Sequence, residues 1–111
     1  MAWNTLTGEE QLEQIIEKSK MAPQVIFKHS TRCSISAVAY HRLQKAKQPE
    51  GVDFYYLDLI TYRQLSNKIA QTFGVHHESP QVLVIKNGEC VYDESHLAIS
   101  LDEVMQQAKA A

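Results

Sequence analysis

Cys33 follows the apolar run Val25-Ile26-Phe27 across a short polar link and opens a segment that reads as a helix. The unpaired N–H groups and partial positive charge of a helix start stabilise an anion, so a cysteine placed there is disposed to react as a thiolate. The competing reading is a small buried hydrophobe, a common fate of free cysteine. Three positions on, Ser36 stands where a dithiol site would carry its second cysteine, so Cys33-Ser34-Ile35-Ser36 cannot close a disulfide by itself. The Ser36 hydroxyl is either a donor to the Cys33 thiolate or a cap for backbone N–H groups. Arg32 offers a guanidinium to the thiolate or to an anionic ligand, or is simply solvated. Far along the chain, Ser79-Pro80 directly precedes Val82-Leu83-Val84-Ile85. Proline at the entrance of what reads as a central strand predicts a cis Ser79-Pro80 bond. Set against the thiol, that bond would leave the preceding backbone polar groups open to an extended thiol substrate. His77, just before this step, is a candidate proton relay or ligand-orienting group, or a plain loop residue. His29, His76, His77 and Cys33 have no recognisable metal-ligand spacing, so no metal site is expected.

The elements that position these residues follow from periodicity. Thr7 with Glu10 forms a capping box, and Leu12, Ile15 and Ile16 give one apolar face to a helix over about residues 8 to 20. Val25 to Lys28 is a short buried strand. A second helix runs from Cys33 to about Lys47, with Ile35, Val38, Ala39 and Leu43 as its expected inward face, and Gln48-Pro49-Glu50-Gly51 closes it. Val52 to Leu59 is a strand, Thr61 and Gln64 cap a helix to Phe73, and Gly74 is its expected C-cap. Asn87-Gly88 joins Gln81–Lys86 to a strand from Glu89 to about Asp93 as a hairpin. Ser100 and Glu103 cap a last helix with Leu101, Val104, Met105 and Ala108 inward. The order αβαβαββα predicts an α/β fold with a four-stranded mixed central sheet flanked by helices, the thioredoxin-like arrangement.

The hairpin register sets Cys90 opposite Ile85, five residues from Pro80, so at ~3.3 Å per residue it lies roughly 17 Å from the proline end. A disulfide needs Cα atoms within about 7 Å, so Cys90 reads as structural and any resolving thiol comes from outside.

With 111 residues, 44% hydrophobic and 22% charged, the chain reads as one globular domain, and a formal net charge of -2 argues against a nucleic-acid partner. No apolar run approaches a membrane span and the first residues lack a signal-peptide pattern, so the expected location is the cytoplasm, where both cysteines begin as free thiols.

Phe27-Lys28-His29-Ser30-Thr31-Arg32-Cys33-Ser34-Ile35-Ser36-Ala37, with His77-Glu78-Ser79-Pro80-Gln81 and Asn87-Gly88-Glu89, resembles the monothiol bacilliredoxins of the YtxJ type. These are small cytoplasmic thioredoxin-fold proteins, often described as general stress proteins, of bacteria that use bacillithiol. The resemblance implies that Cys33 removes bacillithiol from bacillithiolated client proteins, with bacillithiol as cosubstrate and no bound cofactor. It matches Cys33 to the family's active cysteine, Ser36 to the serine of its Cys-Pro-Ile-Ser pattern, and Pro80 to the cis-proline. Ser34 departs, standing where the family usually has proline, which suits a first helical turn. Since bacillithiol carries carboxylates, Arg32 and Lys28 are candidate anchors. Competing readings are a monothiol glutaredoxin, whose Cys-Gly-Phe-Ser does not match Ser34-Ile35, a non-catalytic peptide-binding module on the same fold, and a redox sensor capped at Cys33.

Overall fold

In the computed structural model, which describes residues 1–110, a five-stranded sheet separates two layers of helices. The elements are β1 (Asn4–Thr5), α1 (Glu9–Lys18), β2 (Gln24–His29), α2 (Ser34–Gln44), β3 (Asp53–Asp58), α3 (Arg63–Phe73), β4 (Gln81–Lys86), β5 (Glu89–Ser95), a 3₁₀ turn (His96–Ala98) and α4 (Leu101–Lys109). Spatial order is β1-β3-β2-β4-β5, with β1 and β2 parallel to β3, and β4 antiparallel to both β2 and β5. The predicted α/β arrangement holds, with one strand more than the four expected.

The extra strand is β1, an edge of two exposed residues that carries no alternation to read. Neighbouring groups hold it in place. Trp3 stacks on Phe27 with ring centroids 5.7 Å apart and donates its indole N–H to Gln44 Oε1 at 2.6 Å, while Asn4 donates to the Phe54 carbonyl at 3.2 Å.

Alternating side chains divide the core between the two faces of the sheet. Val25, Phe27, Phe54, Val82 and Val84 pack against α2 and α4, whereas Ile26, Tyr55, Leu57, Leu83 and Ile85 pack against α1 and α3. Turn chemistry follows the sequence closely. Gly74 ends α3 at φ 64, and Asn87 and Gly88 both adopt positive φ, 52 and 78, as a two-residue hairpin turn demands. Ile85 faces Cys90 as expected, but Val84 faces Tyr92, so Val91 is an inserted bulge residue and β5 continues two residues past Asp93. Ser100 caps α4 by accepting from the Glu103 N–H at 3.5 Å.

Several local expectations are corrected. The first cap is made by Gln11, whose Oε1 accepts from the Thr7 and Gly8 N–H groups at 2.7 and 3.1 Å, in place of Glu10. Thr61 does not pair with Gln64; its hydroxyl donates to Asp58 at 2.8 Å and Tyr62 precedes the helix. Helix α2 ends at Gln44 rather than Lys47, and Ile35 and Val38 lie outward, 42% and 44% exposed. Its buried stripe is Ser36, Ala39 and Leu43, a spacing in which a serine displaces the expected apolar residue from the first turn.

Because Trp3 is the aromatic tie between β1 and the core, Trp3→Ala is expected to lower unfolding stability by about 3 kcal/mol. Urea denaturation measures this, and a loss under about 1 kcal/mol would show that β1 contributes little.

Candidate functional site

Cys33 is the N-cap of α2, in extended backbone conformation at φ -115 and ψ 123. The turn that delivers it is closed by the Cys33 N–H donating to the Ser30 carbonyl at 3.2 Å, and the helix begins with the Ala37 N–H donating to the Cys33 carbonyl at 3.0 Å. Its side chain is half-buried and free. The thiol thus sits beside the unpaired N–H groups of the first helical turn of an 11-residue helix.

Ser36 is fully buried and its hydroxyl is committed below the turn. Oγ accepts the Ser30 N–H at 3.0 Å and lies 2.7 Å from His29 Nδ1. Burial, the largest effect, holds the His29 imidazole below its usual pKa despite the pull of Asp58. The ring is held against Tyr40, Tyr56 and Phe27, with centroids 5.0, 5.6 and 5.9 Å away. Of the two roles open to Ser36, the observed contacts are those of a backbone cap.

The Ser79-Pro80 bond is cis, as predicted. Gln81, the first residue of β4, pairs with Lys28 near the end of β2, so the Ser79-Pro80 step and the Ser30–Cys33 turn share one end of the sheet. Pro80 is buried and its carbonyl accepts the His96 N–H at 2.9 Å, which seats the 3₁₀ turn beside it. The Ser79 backbone N–H and carbonyl have no partner among the described residues. Arg32 and Ser34 are both exposed around the thiol.

Cys90 lies outside this group. It is opposite Ile85, donates to the Tyr92 carbonyl at 3.2 Å, and burial pushes its thiol up to about 11. Together with the strand spacing, this leaves Cys33 as a lone thiol at its end of the sheet.

His77 turns away from the α2 side. Its Nδ1 is 3.5 Å from Lys28 Nζ and 3.3 Å from Ser66 Oγ, on the α3 side of the sheet. Lys28, considered above as a surface anchor for carboxylates, is instead fully buried, its ammonium donating to the Ser66 carbonyl at 3.1 Å. Alternation explains the difference, since Lys28 faces α3 while its neighbour His29 faces α2. Periodicity treats Val25 to Lys28 as one apolar strand, and the only sign of a polar site was a lysine inside that run.

Burial lowers the Lys28 amine from 10.5 to about 8. A folded pKa below the unfolded one means the fold disfavours the ammonium. Stability therefore increases as pH rises from 8 towards 10.5 and is lost as pH falls through 8, about 3 kcal/mol at full extent. Lys28→Met should remove that rise and be more stable than the wild type at pH 7. Urea titrations at pH 7 and 10 compare the two, and a methionine variant less stable at pH 7 would contradict it.

The chain matches the model of the monothiol bacilliredoxin BrxC family over residues 4–104. It is 38% identical to a protein described as a candidate oxidoreductase with a thioredoxin fold, with a TM-score of 0.81 over 93% of this chain and 90% of that one. Fold alone is shared with Fasciola hepatica thioredoxin, 21% identical with TM-score 0.76 over 96% and 99% of the two chains. The same holds for Malassezia sympodialis thioredoxin (Mala s 13), 20% identical with TM-score 0.73 over 98% and 92%. With its lone Cys33 at a helix start and a cis-proline step at the same end of the sheet, the chain belongs to the monothiol bacilliredoxin family, thiol-redox proteins built on the thioredoxin fold.

Proposed function

We propose that the protein removes bacillithiol from mixed disulfides on client proteins in the cytoplasm. The observation that carries this reading is one half-buried thiol at the start of α2 with no second thiol in reach. The Cys33 thiolate attacks the bacillithiol sulfur of the client disulfide. The client S–S bond breaks, a Cys33–bacillithiol disulfide forms, and the client sulfur leaves as a thiolate that takes a proton from water. A second bacillithiol thiolate then attacks the bacillithiol sulfur on Cys33, restoring the Cys33 thiolate and leaving bacillithiol disulfide. Oxidation thus passes from the client to the bacillithiol pair, and no internal resolving cysteine is needed.

The surroundings fit each partner. A client segment can pair with the open backbone of Ser79, in the manner of strand addition. Ile35 and Val38, 42% and 44% exposed in the first turns of α2 after Cys33, give it an apolar surface, and Leu97, 52% exposed, adjoins the same helix where its carbonyl accepts from Arg42 at 3.1 Å. Exposed Arg32 is the anchor assigned to the carboxylates of bacillithiol, and Ser34 leaves the approach to the helix start open.

Mass spectrometry after incubation with a bacillithiolated client tests the reading. One bacillithiol is expected on the wild type and on Cys90→Ser, and none on Cys33→Ser. An adduct on Cys90, or none on a folded wild type, would contradict it. Arg32→Ala should slow transfer by about tenfold, the effect of one charge-assisted contact worth ~1.4 kcal/mol.

A further inference from the structure

Lys28 presents a problem that the exchange chemistry does not explain. Its side chain is fully buried and its polar contacts among the described residues are a carbonyl and an imidazole, with no carboxylate. An ammonium in that setting weakens the fold, and methionine would fill the same space without a charge. The partners of the amine show which parts of the fold it joins.

What it holds is the loop before Pro80. The amine joins three elements: β2, which carries it; α3, through the Ser66 carbonyl at 3.1 Å; and the loop, through His77 Nδ1 at 3.5 Å. An ammonium only donates, so Nδ1 must present its lone pair and the His77 ring proton lies on Nε2. Ser66, also fully buried, brings its hydroxyl to the same nitrogen at 3.3 Å. Directly across the strand pair from Lys28, buried Gln81 donates to the His76 carbonyl at 2.9 Å. Successive loop residues, His76 and His77, are therefore tied to the floor of the sheet from below. Ser79, two residues further on, has backbone groups without a partner among the described residues, as do His77 and Glu78 before it.

We infer that buried Lys28 and half-buried His77 form a clamp that positions the Ser79-Pro80 backbone for the client segment. Lys28 touches neither substrate nor Cys33, and acts through His77. The inference rests on the proposed exchange reaction, with Ser79 as its client-binding edge. The environment of the pair agrees with it. His77 is held below its ordinary pKa, by burial first and then by the Lys28 and Arg63 cations, with Glu78 pulling the other way and His76 adding a small push down. The ring is thus neutral and able to accept.

Two measurements on the full chain decide the matter. Amide ¹⁵N relaxation of His76 to Ser79 should give rigid order parameters near ~0.85 in the wild type, falling towards ~0.6 in both Lys28→Met and His77→Gln. Steady-state kinetics with a bacillithiolated client peptide should show KM raised about tenfold in each variant, with kcat and the rate of Cys33 alkylation by iodoacetamide within about twofold of wild type. The double variant should be no worse than either single one, because both remove the same contact. A loop as rigid as wild type in both variants overturns the clamp. So does a loosened loop with unchanged KM, since the amine would then serve packing alone. If the wild type itself transfers no bacillithiol, the functional reading falls, and the order parameters alone decide whether the clamp exists.

Discussion

The Ser36 hydroxyl, accepting the Ser30 N–H at 3.0 Å and meeting His29 Nδ1 at 2.7 Å, is the contact on which the reactive end of the molecule depends. A chain leaving a central strand for a helix must bury polar backbone at the turn, and each unsatisfied group costs about 1–3 kcal/mol. Here one side chain from the first helical turn reaches back to satisfy the link. Arg32 and Ser34 stay at the surface while Cys33 occupies the N-cap between them. A second cysteine at position 36 would be a poor substitute for the oxygen, as sulfur is a weak hydrogen-bond acceptor. In this chain the residue that leaves the site with one thiol also caps the turn.

The sheet carries two unlike supports on its two faces. On the α2 face, His29 is packed among Phe27, Tyr40 and Tyr56, and Trp3 extends that aromatic group to the edge strand. On the α3 face, buried Lys28, Ser66 and Gln81 make polar contacts with His76 and half-buried His77 of the loop that ends in Pro80. One residue apart in β2, His29 supports the thiol side of the site and Lys28 the cis-proline side. Strand alternation lets adjacent residues serve both loops without touching each other.

Much of this was legible in the sequence, for local reasons. The cis Ser79-Pro80 bond, the Asn87-Gly88 hairpin and the Gly74 cap each follow from a residue whose backbone preference is strong, and the Cys33 helix start follows from its place after the β2 run and the polar link. The register that separates Cys90 from Cys33 follows from the hairpin alone, even though a bulge at Val91 shifts the later part of β5. What escaped depends on tertiary contact. A two-residue strand at Asn4–Thr5 has no period to detect, and the outward turn of Ile35 and Val38 depends on Ser36 taking the inward place. The burial of Lys28 was hidden because a lysine at a strand end normally reaches solvent, and only the fold shows Ser66 and His77 closing over it.

In the proposed reaction Cys33 and the unpartnered Ser79 backbone act as one site. The most direct test is a structure of the Cys90→Ser protein trapped as a mixed disulfide between Cys33 and a client-derived peptide. The expected peptide is extended and hydrogen-bonded through its main chain to the Ser79 N–H and carbonyl, with side chains against Ile35, Val38 and Leu97. A peptide joined to Cys33 but lying elsewhere, with the Ser79 backbone still open to solvent, would contradict the single-site reading.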